Sequence, residues 1–301
     1  MLLFSQEVQH ALTHDLPILA LESTVITHGL PYPENIEIAH QLETIARDMQ
    51  VTPATIAIID GNIKIGLTKN EFEVLAAKKA HKASVRDLSY MINQKACAGT
   101  TVALTAMLSH RAGIRVFATG GIGGVHVGDE MDISADLFEM SRQPIAIISA
   151  GPKAILDIGR TLEVLETYSV PLVGFKTGCV PAFYSRTSPY LLPYSFNTIE
   201  GLADYVHTHQ AFSPSSVLIM NPIPAANEIH EDLIQPVIAQ ALKAAAKQEI
   251  HGKALTPFLL AELNRLTAGN SVSANVALLK NNVSVGAALA KQLSRCPVIA
   301  N

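Results

Sequence analysis

Four stretches of the sequence carry the side chains best suited to chemistry. In PILALESTVITHGLPYPEN an apolar run ends on Glu22 and passes into a polar loop punctuated by glycine and proline. Open α/β sheets bind ligands outside the carboxyl ends of their strands. A carboxylate there, raised in pKa by its apolar approach, can act as a general acid or base. The plainer reading is a strand-end glutamate that faces solvent or pairs with a cation. In ACAGTTVALTAML, Gly99, Thr100 and Thr101 precede a helical run and offer N–H groups, hydroxyls and a helix N-terminus to a phosphate. Ordinary helix capping uses the same residues. Upstream, Lys82 in HKASVRDL supplies the phosphate's countercharge or is a surface lysine.

The densest stretch is FATGGIGGVHVGDEMDISADL. Gly120, Gly121, Gly123 and Gly124 follow an apolar strand, where glycine permits positive φ and close backbone approach to a ligand. This is no dinucleotide fingerprint, because His126 stands where GxGxxG requires its third glycine. Asp129, Glu130, Asp132, Ser134 and Asp136 follow, and hard oxygen ligands at this density suit Mg²⁺ or Mn²⁺. Alternatively, Asp132 or Ser134 caps the next helix. In PIAIISAGPKAILDIG, Pro152 occupies a first-turn position, which predicts Lys153 in the first turn of a helix. The positive dipole end and a buried strand end would lower that lysine's pKa and free its amine to attack a carbonyl. A lysine snorkelling to solvent is the alternative.

The elements that must position these groups are readable as short apolar runs alternating with helical periods. Runs at 17–22, 54–59, 62–66, 114–118, 144–149, 171–175 and 217–220 have strand length. Segment 34–49 places Ile38, Leu42, Ile45, Ala46 and Met49 on one helical face. Asp60-Gly61 between two runs predicts a tight hairpin, hence one antiparallel strand in an otherwise parallel order. From about 226 the pattern is helical to the end, with Thr256-Pro257 as N-cap and first-turn pair and a long small-residue helix over 273–294 suited to close packing or a subunit contact. The fold class is therefore α/β: a mixed, mostly parallel central sheet flanked by helices, with a helical C-terminal region, in a single domain over 1–301.

Composition narrows the function classes. A formal net charge of −4, scattered along the chain, leaves no basic face for a nucleic acid. The 3 cysteines are far apart and unpaired in spacing, which suits a reducing, cytoplasmic compartment. No apolar stretch approaches the ~20 residues of a membrane span, and the N-terminal apolar run is too short for a signal-peptide core.

The blocks ALESTVITHG, PATIAIIDG, KASVRDL, GTTVA, FATGGIGGVH, DISADL, SAGPKAILDIG, PAFYSRTSPY, NPIP, GKALTPFLL and SANVALLKNN occur in an order that resembles the pseudouridine-5′-phosphate glycosidases, also described as indigoidine synthase A-like. The likeness runs from about residue 5 to 295. It implies Glu22 as proton donor, Lys153 as imine-forming nucleophile and Asp132 as ligand of one Mn²⁺ per subunit, with Mg²⁺ or another divalent ion as the alternative. It further implies that Lys82, Val102, Ser134, Ala135, Asp136 and Asn275 line the substrate site, and that the protein is a homotrimer. The expected substrates are pseudouridine 5′-phosphate, uracil and ribose 5-phosphate. Pro152 departs from the small residue the family often has there, and Asp60-Gly61 from a glycine pair. The rival readings are another Schiff-base lyase acting on a sugar phosphate and a non-catalytic sugar-phosphate-binding accessory protein.

Overall fold

The computed structural model describes residues 2–30, 32–77, 80–128, 131–250 and 252–296. The strands are β1 Leu2–Phe4, β2 Ile18–Leu21, β3 Thr52–Ile59, β4 Asn62–Ile65, β5 His81–Ala83, β6 Ala98–Thr100, β7 Val116–Ala118, β8 Val125–His126, β9 Ala146–Ser149, β10 Leu156–Asp157, β11 Leu172–Phe175, β12 Tyr194–Phe196 and β13 Val217–Met220. The α-helices are α1 Gln6–Thr13, α2 Glu34–Asp48, α3 Lys69–Ala77, α4 Leu88–Asn93, α5 Val102–Arg111, α6 Ala135–Met140, α7 Ile158–Thr167, α8 Ile199–Phe212, α9 Glu231–Lys247, α10 Leu255–Leu266 and α11 Asn270–Leu293.

Among the described residues one sheet of eleven strands runs β1-β4-β3-β2-β7-β9-β13-β11-β12, with β6 on β3 and β5 on β6. Pairs β3–β4 and β3–β6 are antiparallel, and the others, from β2–β7 through β11–β12, are parallel. The mixed, mostly parallel sheet matches the expectation. Its central strands are covered on both faces and so read as unbroken apolar runs. Within β2, Ile18 and Ala20 pack with Val8 of α1 and Leu104 of α5, whereas Leu19 and Leu21 pack with Leu42 of α2 and Leu278 of α11. The predicted hairpin is present, with positive φ at both Asp60 (48°) and Gly61 (76°), as a primed turn requires.

The C-terminal helices differ in detail from the sequence reading. Thr256 is not an N-cap: a 3₁₀ turn over Gly252–Ala254 leads in, Ala254 caps α10, and Thr256-Pro257 falls inside its first turn. The long helix begins at Asn270, not 273. Its small residues serve close packing within the chain. A Cβ on Gly286 would lie 2.9 Å from Leu19 Cδ1 and 3.2 Å from Ala118 Cβ, so α11 lies almost directly on β2 and β7. No helix among the described residues is long and apolar enough to cross a membrane.

Since α11 can approach these strands only without a side chain at that point, Gly286→Val is expected to destabilise the fold by about 1–3 kcal/mol through overpacking. Chemical denaturation measures it.

Candidate active site

Three adjacent parallel strands, β2, β7 and β9, end side by side, and each delivers functional groups just beyond its last residue. Glu22 follows β2, the Thr119–Gly124 segment follows β7, and Lys153 lies four residues past β9. A cavity of about 310 Å³ occupies this end of the sheet and is lined by Glu22, Lys82, Val102, Asp132, Ser134, Ala135, Asp136, Lys153 and Asn275. The site residues that the family resemblance implies thus line one cavity.

Strand β2 stops at Leu21 because Ser23 leaves the ladder. Its hydroxyl donates to the Ile56 carbonyl (2.6 Å) and accepts from the Thr100 N–H (2.9 Å), so β6 replaces β2 along the same edge of β3. Glu22 is released into the cavity at that fork. Burial pushes its carboxyl pKa upward. The Lys153 charge, a hydrogen bond from the Thr119 hydroxyl to Oε1 and the more weakly felt Lys82 oppose the rise, and Asp136 adds to it. A carboxyl held protonated beyond the ordinary carboxylate range is what a general acid needs.

Lys153 is placed differently from the sequence expectation. It is not in the first turn of a helix: α7 begins only at Ile158, capped by Asp157, so no helix dipole bears on the lysine. Segment 150–153 instead pairs with the glycine-rich segment. Ile122 N–H donates to Gly151 O (3.1 Å) and Lys153 N–H to Ile122 O (3.0 Å). The side chain turns back, and Nζ donates to the Gly121 carbonyl at 2.8 Å. Pro152, which has no N–H to offer, sits in the bridge with Ile122.

The glycines also have another reason than the one expected. None of Gly120, Gly121, Gly123 and Gly124 has positive φ. Each is a glycine because a neighbour fills the space of a Cβ: the Phe183 ring at Gly121, Ser134 and Asp136 at Gly123, Thr161 at Gly124, and Asn275 with Leu278 and Leu279 at Gly120. The positive φ expected of them is absent, while Gly120, Gly121 and Gly123 do line the cavity.

Asp136 ties this segment to α5. One carboxylate oxygen accepts from Ala103 N–H and the other from Gly123 N–H, both at 2.8 Å. Ser134 caps α6 by accepting from Asp136 N–H (3.2 Å). Thr101 caps α5, but Gly99 and Thr100 are not part of a free phosphate turn. They form strand β6, and the fully buried Thr100 hydroxyl is taken by Ile56 O (2.7 Å) and Thr105.

Asp132 lies on the cavity wall, its carbonyl accepting from His126 N–H (2.9 Å). Asp129 and Glu130 lie outside the described residues. Among the described residues no three His, Cys, Asp or Glu side chains cluster as a metal cage. One carboxylate on an open wall fits a hard divalent cation that keeps most of its waters.

His28 and Arg86 also line the cavity, inside the blocks ALESTVITHG and KASVRDL but not singled out from them. A second cation four residues past Lys82, in the 3₁₀ turn that follows β5, was the available signal. Burial lowers the pKa of His28, helped by Lys82 and His81. It also lowers that of His126, where Asp132 opposes and Lys82 and Lys153 assist. Both imidazoles are thereby biased toward the neutral form. The cavity presents Lys82 and Arg86 on one strand-and-turn segment and Glu22 and Lys153 on the strand ends.

An α/β pocket with an amine and a carboxyl beyond the ends of two strands that flank a third suits the class of enzymes that work on carbonyl carbons. Comparison with known proteins specifies it. The family model for indigoidine synthase A-like protein matches residues 7–292. The chain belongs to this family. Pseudouridine-5′-phosphate glycosidases resemble it over almost its whole length: that of Geobacillus kaustophilus is 50% identical across 97% of this chain and 99% of the relative, and that of Staphylococcus aureus 46% identical across 97% and 96%. Among solved structures, an indigoidine synthase A-like protein from Thermotoga maritima superposes with a TM-score of 0.91 at 35% identity, covering 98% of this chain and 97% of that one. A prealnumycin C-glycosynthase in complex with ribulose 5-phosphate does so with a TM-score of 0.90 at 34% identity and the same coverage.

Asp136→Asn substitutes an N–H₂ for one acceptor and leaves one backbone N–H unpaired. A loss of about 1–3 kcal/mol is expected in thermal denaturation. The Glu22 pKa is expected to fall, because the Asp136 charge is among the causes that raise it. Infrared titration of the Glu22 carboxyl reads that shift.

Proposed function

We propose that this protein reversibly cleaves the carbon–carbon glycosidic bond of pseudouridine 5′-phosphate, giving uracil and ribose 5-phosphate through an imine on Lys153. The observation that carries the reading is the one cavity that Lys153, Glu22 and the Lys82 and Arg86 cations line together. Full-length likeness to proteins named for this activity supports it, as does likeness to a C-glycosynthase that binds a pentose phosphate.

The chemistry follows from the bond. A C-glycoside has no leaving heteroatom for the paired carboxylates of ordinary glycosidases to protonate. An amine supplies the missing electron sink. Lys153 attacks the anomeric carbon as a neutral amine, the C–O bond of the ribose ring breaks, and the departing ring oxygen takes a proton from the attacking nitrogen to become a hydroxyl. Glu22 protonates the uracil ring carbon that bears the sugar. The nitrogen lone pair forms C=N as the carbon–carbon bond breaks, and uracil departs. Water hydrolyses the imine, freeing ribose 5-phosphate and the lysine.

Lys82 and Arg86, with the α5 N-terminus at Val102, form the cationic end that receives the phosphate. Ser134, Ala135, Asp136 and Asn275 border the remaining space. Asp132 would hold a hydrated Mn²⁺ or Mg²⁺, which would add positive charge beside the substrate's oxygens. A homotrimer in the cytoplasm completes the reading.

Purified protein is expected to release uracil from pseudouridine 5′-phosphate and much more slowly from unphosphorylated pseudouridine. Borohydride with ribose 5-phosphate is expected to add the sugar phosphate to Lys153, located by peptide mass. Glu22→Gln should keep this trapping while uracil release falls by roughly 10²–10⁴. No uracil from either substrate, or trapping at another lysine, rejects the assignment.

Calorimetric titration with Mn²⁺ is expected to show one site per chain that is lost in Asp132→Ala. Equal binding in both proteins places the ion elsewhere.

A further inference from the structure

Helix α11 carries a polar group that the reaction itself does not use. Asn275, Asn282 and Gly286, spaced by seven and four, share the helix face that lies on the sheet. Asn275 borders the cavity, whereas Asn282 is fully buried and is not part of the cavity wall. A buried amide is tolerated only when its hydrogen bonds are made. Asn282 makes them on both sides. Nδ2 donates to the carbonyls of Thr119 (2.7 Å) and Gly120 (3.3 Å), and Oδ1 accepts from Asn221 Nδ2 (2.8 Å). Asn221 is itself anchored past the end of β13, its N–H on Ser149 O (2.9 Å), so the amide's orientation is set by a second strand.

The bond to Thr119 occurs where the sheet can no longer supply one. Strand β7 pairs with β2 only as far as Ala118 opposite Leu21, after which Glu22 and Ser23 leave the ladder. Thr119 N–H still reaches Ile148 O on β9 (3.0 Å), but its carbonyl faces the gap that Asn282 fills. Thr119 is therefore held by its N–H and its carbonyl, and its fully buried side chain donates to Oε1 of Glu22.

We propose that Asn282 is a positioning residue for the proton donor, acting through Thr119: it fixes the hydroxyl that engages Oε1 of Glu22, so that the transferable proton resides on Oε2. This rests on the reading of Glu22 as the acid. The charged groups that bear on Glu22 are Lys153, Asp136 and Lys82, and neither Asn282 nor Thr119 alters them. The Thr119 hydrogen bond favours the ionised carboxylate, so its loss moves the Glu22 pKa further up. An acid acts when protonated. Turnover is lost as pH rises through that pKa, and without the hydrogen bond the alkaline limb moves to higher pH even as the plateau drops.

The test uses the full-length protein and the variants Asn282→Leu, Thr119→Val and Thr119→Ser. For Thr119→Val, kcat on pseudouridine 5′-phosphate is expected to fall about 10²-fold, the scale of a misplaced reacting group, with KM little changed. Asn282→Leu should fall in the same direction with the same upward shift of the alkaline limb, and Thr119→Ser should recover most of the loss. The double variant Thr119→Val/Asn282→Leu should be no slower than Thr119→Val, because both act through one hydroxyl. Infrared titration of the Glu22 carboxyl, its band identified by its absence in Glu22→Gln, should move upward in Thr119→Val and Asn282→Leu alike. A folded Asn282→Leu with wild-type Glu22 titration, or losses that multiply in the double variant, overturns the proposal. Should Asn282→Leu fail to fold, Asn221→Ala, which removes the donor that orients the amide, must show the same upward shift or the proposal falls. If the wild type releases no uracil, the functional reading fails, and the carboxyl titration still decides whether Asn282 governs Glu22.

Discussion

The site depends on how six residues after β7 are packed. From Thr119 to Gly124 the chain runs between the fork at β2 and the strand end at β9, and its backbone groups bind the parts of the site together. The carbonyls of Thr119 and Gly120 receive Asn282, and that of Gly120 also receives Ala150 N–H. The carbonyl of Gly121 holds the Lys153 amine, the N–H of Gly123 one oxygen of Asp136, and the carbonyl of Gly124 the N–H of Ser134. A side chain at Gly121, Gly123 or Gly124 would collide with Phe183, Ser134 or Thr161, so glycine is required there by crowding. A site held this way inherits the rigidity of a packed sheet, which places reacting groups better than a free loop can.

Electrostatics then divides the cavity. At Glu22 burial outweighs the opposing Lys153 charge and Thr119 hydrogen bond, so the carboxyl is biased toward its protonated form. At His28 burial acts with neighbouring cations to disfavour the imidazolium, and at His126 burial outweighs the opposing Asp132 charge with help from Lys82 and Lys153. Positive charge is thus concentrated on Lys82, Arg86 and Lys153, of which the first two lie on one short segment.

Much of this was legible in the sequence, for identifiable reasons. Central strands buried on both faces are continuous apolar runs, and PILALE, ATIAII and PIAIIS announce β2, β3 and β9 within two residues. The rule that ligands bind at strand carboxyl ends then singles out Glu22 and the glycine segment without further information. What misled was local resemblance. AGPK has the form of a helix start, but Gly151, at φ 92° with the Pro181 carbonyl where its Cβ would be, turns the chain into a bridge with Ile122, and the helix waits for Asp157. GTT has the form of an anion turn, but its first two residues complete a three-residue strand too short to show a period. Arg86 and His28 were passed over because one charged or aromatic polar residue in a loop is indistinguishable from solvated surface until the fold closes around it.

The holding of Lys153 bears on the nucleophile role proposed for it, which has no helix dipole behind it. Among the described residues its Nζ has one hydrogen-bond partner, the neutral Gly121 carbonyl, and no carboxylate within ion-pair distance. A salt bridge would orient the side chain only while holding the proton on it, since the partner's charge favours the ammonium. A carbonyl accepts a hydrogen bond from an amine as well as from an ammonium, so this contact orients the side chain without favouring the charged form as a carboxylate would. The carboxylate closest in role, Glu22, has one oxygen engaged by Thr119 and is itself biased toward neutrality. The two reacting groups are therefore positioned by backbone carbonyl and threonine hydroxyl, respectively, and not by each other's charge. In the proposed reaction, that separation would let each exchange a proton without dismantling the geometry of its partner.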